Sequence, residues 1–449
     1  MSEKNITADP ARVLGLKELY AIAIGTVIGA GIITILGSAI AATGISAWLA
    51  YLVAIVLGFI TILPFVIMSG VVRLRGGFYS LVLGLLGERW GGMFIMCYIP
   101  NAFTYSLYGL SLGIYVNSIF PEISRTWVGV IAIIVVYLIN LSGVKGMAKL
   151  QKAMTWTLIA TLCAFIIMGL LRLSTNPFDT SRPDFLMKGG IGFWDAVILL
   201  AYSTTSYYLT VNYAGSAKNP KRDIPYVLCT VPLILVVVYG GAAIVASCVL
   251  PVADVAGKPL TFVAREVMPS WMMYVFIIGG ACMALGTTLN GVFGSFGRMY
   301  AQGCKDGWFP ESIGKLNRHD VPVVLYTISA IVGIVPLFTK FDVRTITSNT
   351  VLLTYICNLI PMIAVLFLPT KYPDEWRASR FYMPAPVFYV VMLVSIVTKI
   401  IIMYFSASNL TTPALVISLV AVAVCFAYAM YRYNSGKTHC KEVHLDFSD

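Results

Sequence analysis

Charge is what this sequence has least of. Only 11% of its 449 residues are Asp, Glu, Lys or Arg, against 59% hydrophobic, and the mean hydropathy is +0.85. So little polar surface cannot cover a water-soluble globule of this size, which excludes that class. Histidine is scarcer still: His319, His439 and His444 are the only three, all in hydrophilic segments. No nucleophile and base pair is legible, and no acids or metal ligands converge at membrane depth, so an enzyme is not expected. None of the nine cysteines forms a CxxC pair, and only Cys304 and Cys440 lie clearly outside the apolar runs. Neither a disulfide framework nor a zinc site is indicated, and packing is the role expected of them. The net charge of +11 comes from basic residues scattered among short loops, without the stripe or aromatic-interleaved patch that nucleic acid binding needs. A channel would need a polar pore lining or a repeated filter loop, and neither is present. There is no lipidation motif. The first apolar run follows a tail of mixed charge and has no small-residue cleavage site, so it reads as a retained helix.

What is there is a succession of apolar runs long enough to cross a bilayer, which takes about 20 residues per helix. We place them at 17–42, 46–72, 89–119, 127–143, 152–172, 193–214, 226–250, 271–302, 322–338, 344–368, 386–404 and 413–431. The expected fold is therefore an all-α integral membrane protein of about twelve transmembrane helices. Segments assigned to one side hold 22 of the 31 lysines and arginines, so both termini are expected in the cytoplasm, with the chain in the cytoplasmic membrane. Two sets of five helices, 17–172 and 193–368, would enter the membrane in opposite senses. Inverted repeats of this kind are a common transporter architecture, with the site at the midplane. The remaining divisions are tails at 1–16 and 432–449 and two additional helices over 386–431.

Two stretches within these runs resist an unbroken helix. "GTVIGAGI", Gly25 to Ile32, carries three glycines, each unfavourable in a helix by about 1 kcal/mol relative to Ala. Ala21, Gly25 and Gly29 form a small-residue packing face, which leaves Gly31 over. A break here would leave N–H groups and a positive dipole end from about Ile32, an anion seat, and carbonyls near Val27 that suit a cation or ammonium. In the sixth run, "AYSTTSYYLT" places four consecutive hydroxyls, Ser203, Thr204, Thr205 and Ser206, near the middle. They either re-satisfy backbone freed by unwinding or back-bond within an intact helix. Ionisable residues are almost absent at midplane depth. Glu18, Arg172, Arg298 and Lys399 are placed near helix ends, where long side chains reach the interface. Asp195 reads as a solvated carboxylate near a helix start.

The sequence resembles the amino acid/polyamine/organocation (APC) family of secondary transporters from about Leu14 to Pro322. The likeness is carried by "IGAGI" at Ile28–Ile32, "RGGFYSLVLGLLGERWG" at Arg75–Gly91, "KNPKRDIP" at Lys218–Pro225, "RMYAQGCKDGWFP" at Arg298–Pro310 and "NRHDVP" at Asn317–Pro322. It implies an amino acid or related amine held between broken helices one and six. The N–H groups of Gly29, Ala30 and Gly31 would bind its carboxylate, and the carbonyls of Val27, Tyr202 and Thr205 its amine. Tyr202 falls at an aromatic gate position, Asn101 at a pocket position of helix three, and Asn290 at a family-typical Asn of helix eight. Departures are Tyr208 where many members have an acid, Gly215 and Ser216 in place of an acidic pair, and Thr157 where some carriers have a coupling lysine. Thr287 and Thr288 are either packing hydroxyls or partners of helix-one carbonyls around a sodium ion. The function expected is alternating-access transport of a neutral or polar amino acid among membrane lipids, without cofactor, sodium or proton coupling being open. Exchange of a cationic amino acid for its amine is the alternative within the class, and a non-transporting sensor the alternative outside it.

Overall fold

A computed structural model describes residues 12–29, 31–339, 343–408, 410, 412–440 and 445–447. Every expected apolar segment is helical. The first comprises α1 (Leu16–Val27), a π turn at Gly31–Ile35 and α2 (Leu36–Thr43), and the second is α3 (Ala47–Ser69). A short strand, β1 (Arg73–Leu74), and α4 (Phe78–Leu86) precede the third segment, in which α5 (Glu88–Asn101) and α6 (Thr104–Ile119) meet just after Pro100. Then come α7 (Arg125–Asn140), α8 (Gly143–Leu170) and the sixth segment, α9 (Gly189–Ala201) followed by 3-10 turns at Tyr202–Thr204 and Ser206–Ser216. Pro220 and Asp223 in its first turn start α10 (Pro220–Cys248), as a fixed φ and a negative charge should. Three short helices, α11 (Val252–Val255), α12 (Leu260–Val267) and α13 (Ser270–Val275), lead through a π stretch at Phe276–Cys282 into α14 (Met283–Lys305). The rest is α15 (Glu311–Gly314), α16 (Val323–Ile334), α17 (Val343–Val365), α18 (Leu368–Lys371), α19 (Pro373–Ala378), α20 (Ala385–Ser408), α21 (Thr412–Asn434) and β2 (Leu445–Asp446).

Seven helices among the described residues are long and apolar enough to cross a bilayer, so the chain is a multi-pass membrane protein. At the centre, α14 packs against α1, α6, α7 and α8. Its glycines allow this: a Cβ at Gly291 would stand 2.1 Å from Thr26 Cγ2, and one at Gly297 1.7 Å from the Tyr326 hydroxyl. The last two helices are the least buried of the seven, α20 lying on α3 and α17 and α21 on α5.

The expectation of a purely helical chain needs one amendment. β1 and β2 pair antiparallel, Arg73 opposite Asp446, with an ion pair at 2.9 Å between those side chains. Arg73 also donates to Gly215 O at 2.8 Å, while Val13 and Leu14 donate their N–H groups to Ser216 O. Both described ends of the chain thus meet on one face, at the end of the sixth segment. Two of the motifs that carried the resemblance, Arg75–Gly91 and Arg298–Pro310, converge there too. Gly77, at φ +62°, lies against Asn212, whose Oδ1 accepts from Phe78 N at 2.9 Å. Tyr79 donates to Asp306, and Arg298 to the Ser216 hydroxyl.

Candidate functional site

The first segment is interrupted where its glycines cluster. α1 stops at Val27, and Ile28 turns to extended backbone (φ −80°, ψ 92°) before helical structure resumes at Gly31. The glycines are seats for neighbouring side chains. A Cβ at Gly25 would stand 2.3 Å from Gln151 Nε2, one at Gly29 2.4 Å from Thr288 Oγ1, and one at Gly31 1.9 Å from Ser203 Cβ. Gly31, unexplained by the packing stripe, is therefore where the sixth segment touches the first. The freed carbonyls have found partners on other helices. Tyr239 of α10 donates to Val27 O at 2.6 Å and stands 3.2 Å from Ser203 O, bridging the two segments. Thr288 Oγ1 lies 3.0 Å from Gly25 O, 3.5 Å from Ile28 O and 2.9 Å from Ala284 O. Ala30 lies outside the described residues.

The sixth segment is interrupted differently. α9 gives way at Tyr202 to 3-10 structure, with Thr205 (φ −115°, ψ −22°) between its two stretches. Three of the four hydroxyls answer the backbone beside them: Ser203 donates to Leu200 O at 2.7 Å, Thr204 to Ala201 O at 2.8 Å and Thr205 to Tyr202 O at 3.4 Å. Thr204 also reaches Ala54 O of α3 at 3.1 Å. The helix is not intact here, and the hydroxyls bond to backbone beside the place where α9 ends.

Beside the junction is a cavity of about 20 Å³ lined by Asn101, Thr104, Tyr108, Tyr202, Ser206, Tyr208, Leu209, Val292, Phe296 and Thr354. Asn101 Oδ1 accepts from Thr354 Oγ1 at 3.1 Å. The structure thus gathers four of the sequence-derived candidates, Asn101, Tyr202, Ser206 and Tyr208, around one space. Val27, Gly29 and Gly31 lie at the junction next to it. The carbonyls assigned to an amine are engaged, Val27 O by Tyr239 and Thr205 O by the Tyr208 N–H at 3.0 Å. Each keeps a second lone pair.

Other candidates fall elsewhere. Asn290 accepts from Asn140 at 2.8 Å and donates to Gln151 Oε1 at 2.7 Å, a buried network joining α7, α14 and α8. Thr157 is exposed and back-bonds to Ala153 O at 3.0 Å. From α8, Gln151 lies against Gly25, Thr155 Oγ1 donates to Ala21 O at 2.9 Å, and Lys152 pairs with Glu18 at 3.1 Å. Thr287 back-bonds to Met283 O at 2.7 Å. Asp195 is exposed. Lys399 is not near an end of its helix: it sits well inside α20 and is 1% exposed. Thr104, Tyr108, Thr354 and Tyr239 were missed by the sequence reading. A hydroxyl three residues after Asn101 in a bent helix was the one local signal among them.

Interrupted helices meeting beside a buried cavity, inside a bundle of bilayer-length helices, define a membrane protein of the carrier class. The sequence matches the amino acid permease family over residues 14–428, and the chain belongs to it. It is 24% identical over 415 residues to the uncharacterized transporter YdgF of Bacillus subtilis, covering 86% of this chain and 88% of that one. Over 356 residues it is 25% identical to the branched-chain amino acid permease BcaP of Lactococcus lactis, covering 72% and 75%. BcaP of Bacillus subtilis is 23% identical over 406 residues, at 82% and 83% coverage. Family and relatives are transporters, so this chain is a permease and not an enzyme.

Proposed function

We propose that the protein is a secondary active carrier that moves a neutral amino acid across the cytoplasmic membrane by alternating access. The observation that carries this reading is the meeting of the two interrupted segments, Gly31 against Ser203 and Tyr239 spanning both, beside the cavity at Tyr202 and Tyr208. The unwound ends offer N–H groups on one side and carbonyls on the other, the two things a zwitterion needs. In this reading twelve spans are divided into inverted repeats at 17–172 and 193–368, with 386–431 outside them. The excess of Lys and Arg puts both termini in the cytoplasm.

The lining supports the substrate class. It holds no charged side chain, with Asn101, Thr104, Ser206 and Thr354 available for hydrogen bonds and Leu209, Val292 and Phe296 for an apolar side chain. Two relatives are named branched-chain amino acid permeases, in keeping with that mixture. A cationic substrate is disfavoured by Lys399 behind Tyr208, because a like charge ~10 Å away in protein is unfavourable by on the order of 1 kcal/mol. About 20 Å³ is room for roughly one water, so the lining must part to admit substrate. Purified protein in sealed vesicles should take up labelled isoleucine or leucine saturably, with arginine and agmatine competing weakly. Competition by agmatine without competition by leucine would reverse the substrate assignment. Binding of leucine without movement across the vesicle wall would make the protein a sensor.

A further inference from the structure

One charged side chain is left unused by this site. Lys399 is buried on α20, and its Nζ has no hydrogen-bond partner among the described residues. What surrounds it is aromatic: Nζ stands 4.5 Å from the Tyr355 ring centroid and 5.9 Å from that of Tyr208. Asn358, one turn beyond Tyr355 on α17, also has its side-chain amide unpartnered. The elements packed against α20 supply no counterion. α19 carries Asp374, Glu375 and Arg377 but meets α20 through Trp376 on Phe388, eleven residues before Lys399. α3 has no charged residue, and Tyr51 is its one ionisable group. α9 has only Asp195, which is exposed. α17 has Arg344 near its start, then Tyr355 and Cys357. The stretch Ser206–Ser216 contributes Tyr207, Tyr208 and Tyr213.

An ammonium inside a membrane protein without a carboxylate is expensive, and such residues are functional by default. Two ring faces offset only part of the penalty of burying an ion. Both rings belong to the site that must open. Tyr208 lines the cavity, and Tyr355 stands 6.5 Å from Tyr202, which lines it too. Moving these tyrosines changes the surroundings of the amine, so the proton on Lys399 and the position of the Ser206–Ser216 stretch are linked, each biasing the other.

We propose that Lys399 is the proton-carrying residue of the transport cycle. Its amine takes a proton from water reached from one side of the membrane and returns it to water on the other. On uptake one O–H bond of hydronium breaks as the N–H bond forms, and on release the N–H bond breaks as an O–H bond of hydronium forms on the other side. The proposal rests on the transport reading above, and the test separates the two. Purified protein in proteoliposomes is assayed for isoleucine counterflow at equal pH on both sides, and for net uptake with the outside one pH unit more acidic. One proton per substrate supports about tenfold accumulation across that gradient. The parent should show both activities. Lys399→Gln and Lys399→Met should keep counterflow and lose the response to the gradient. Lys399→Arg, whose charge does not leave, should lose it as well. A purely structural role would lower counterflow and net uptake together and leave the gradient response intact, which overturns the proposal. So does a parent whose uptake follows sodium and ignores the gradient, or a Lys399→Gln variant that responds as the parent does. Absence of counterflow in the parent overturns the transport reading and this proposal with it, whereas counterflow without a gradient response overturns the proposal alone.

Discussion

The two interrupted segments solve the same problem by opposite means. In the first, the break is confined to Ile28 and its neighbours, and the exposed carbonyls are served from outside, by Tyr239 of α10 and Thr288 of α14. In the sixth, the disturbance runs from Tyr202 to Ser216, and the serving groups are mostly its own hydroxyls, with Tyr239 of α10 reaching only Ser203 O. A break held by other helices reports their positions, so moving α10 or α14 must disturb it. A break served mostly by its own side chains has fewer such ties to lose. On the transport reading proposed above, the first segment would be the fixed reference and the sixth, which carries Tyr202 and Tyr208, the moving part.

This contrast can be attacked in order of expected effect. Gly31→Val should abolish uptake while leaving the protein in the membrane, since even a Cβ there stands 1.9 Å from Ser203 Cβ. Its partner Ser203→Gly, combined with it, should restore part of the activity. Normal uptake by Gly31→Val alone would mean that the segments do not touch as described. Next, Tyr239→Phe removes one hydroxyl shared by both segments. A hydrogen bond contributes about 1 kcal/mol net, so uptake should fall by roughly five- to tenfold, with an unchanged ranking of competing amino acids. The smallest effects separate the two modes of service. Thr288→Val leaves Gly25 O without its cross-helix donor and should lower the unfolding temperature by a few degrees, whereas Thr205→Val, which loses only a 3.4 Å back-bond, should be near neutral. Equal losses from the two variants would break the comparison.

The helices were legible because length and hydropathy are summed over about 20 residues and survive local exceptions. The glycine cluster and the hydroxyl run were legible as departures from that average, and both mark real interruptions. Which backbone atoms stay free was not, because Tyr239 and Thr288 are separated from the first break by more than two hundred residues. Lys399 shows the same limit in reverse. Its side chain enters the protein because α20 presents that face to α3 and α17, and composition carries no information about which face a membrane helix buries. Thr157 faces away from α1 for a related reason: a shift of two positions on a helix turns a side chain through more than half a turn, and Thr155 is a residue that faces α1.

The ladder between β1 and β2 orders events in time. Arg73 and Asp446 are 373 residues apart along the chain, and at about 5–20 residues per second the ribosome delivers the second tens of seconds after the first. By then most of the intervening chain has been made. The strand that closes the face where the tails meet is thus the last of the described elements to be synthesised.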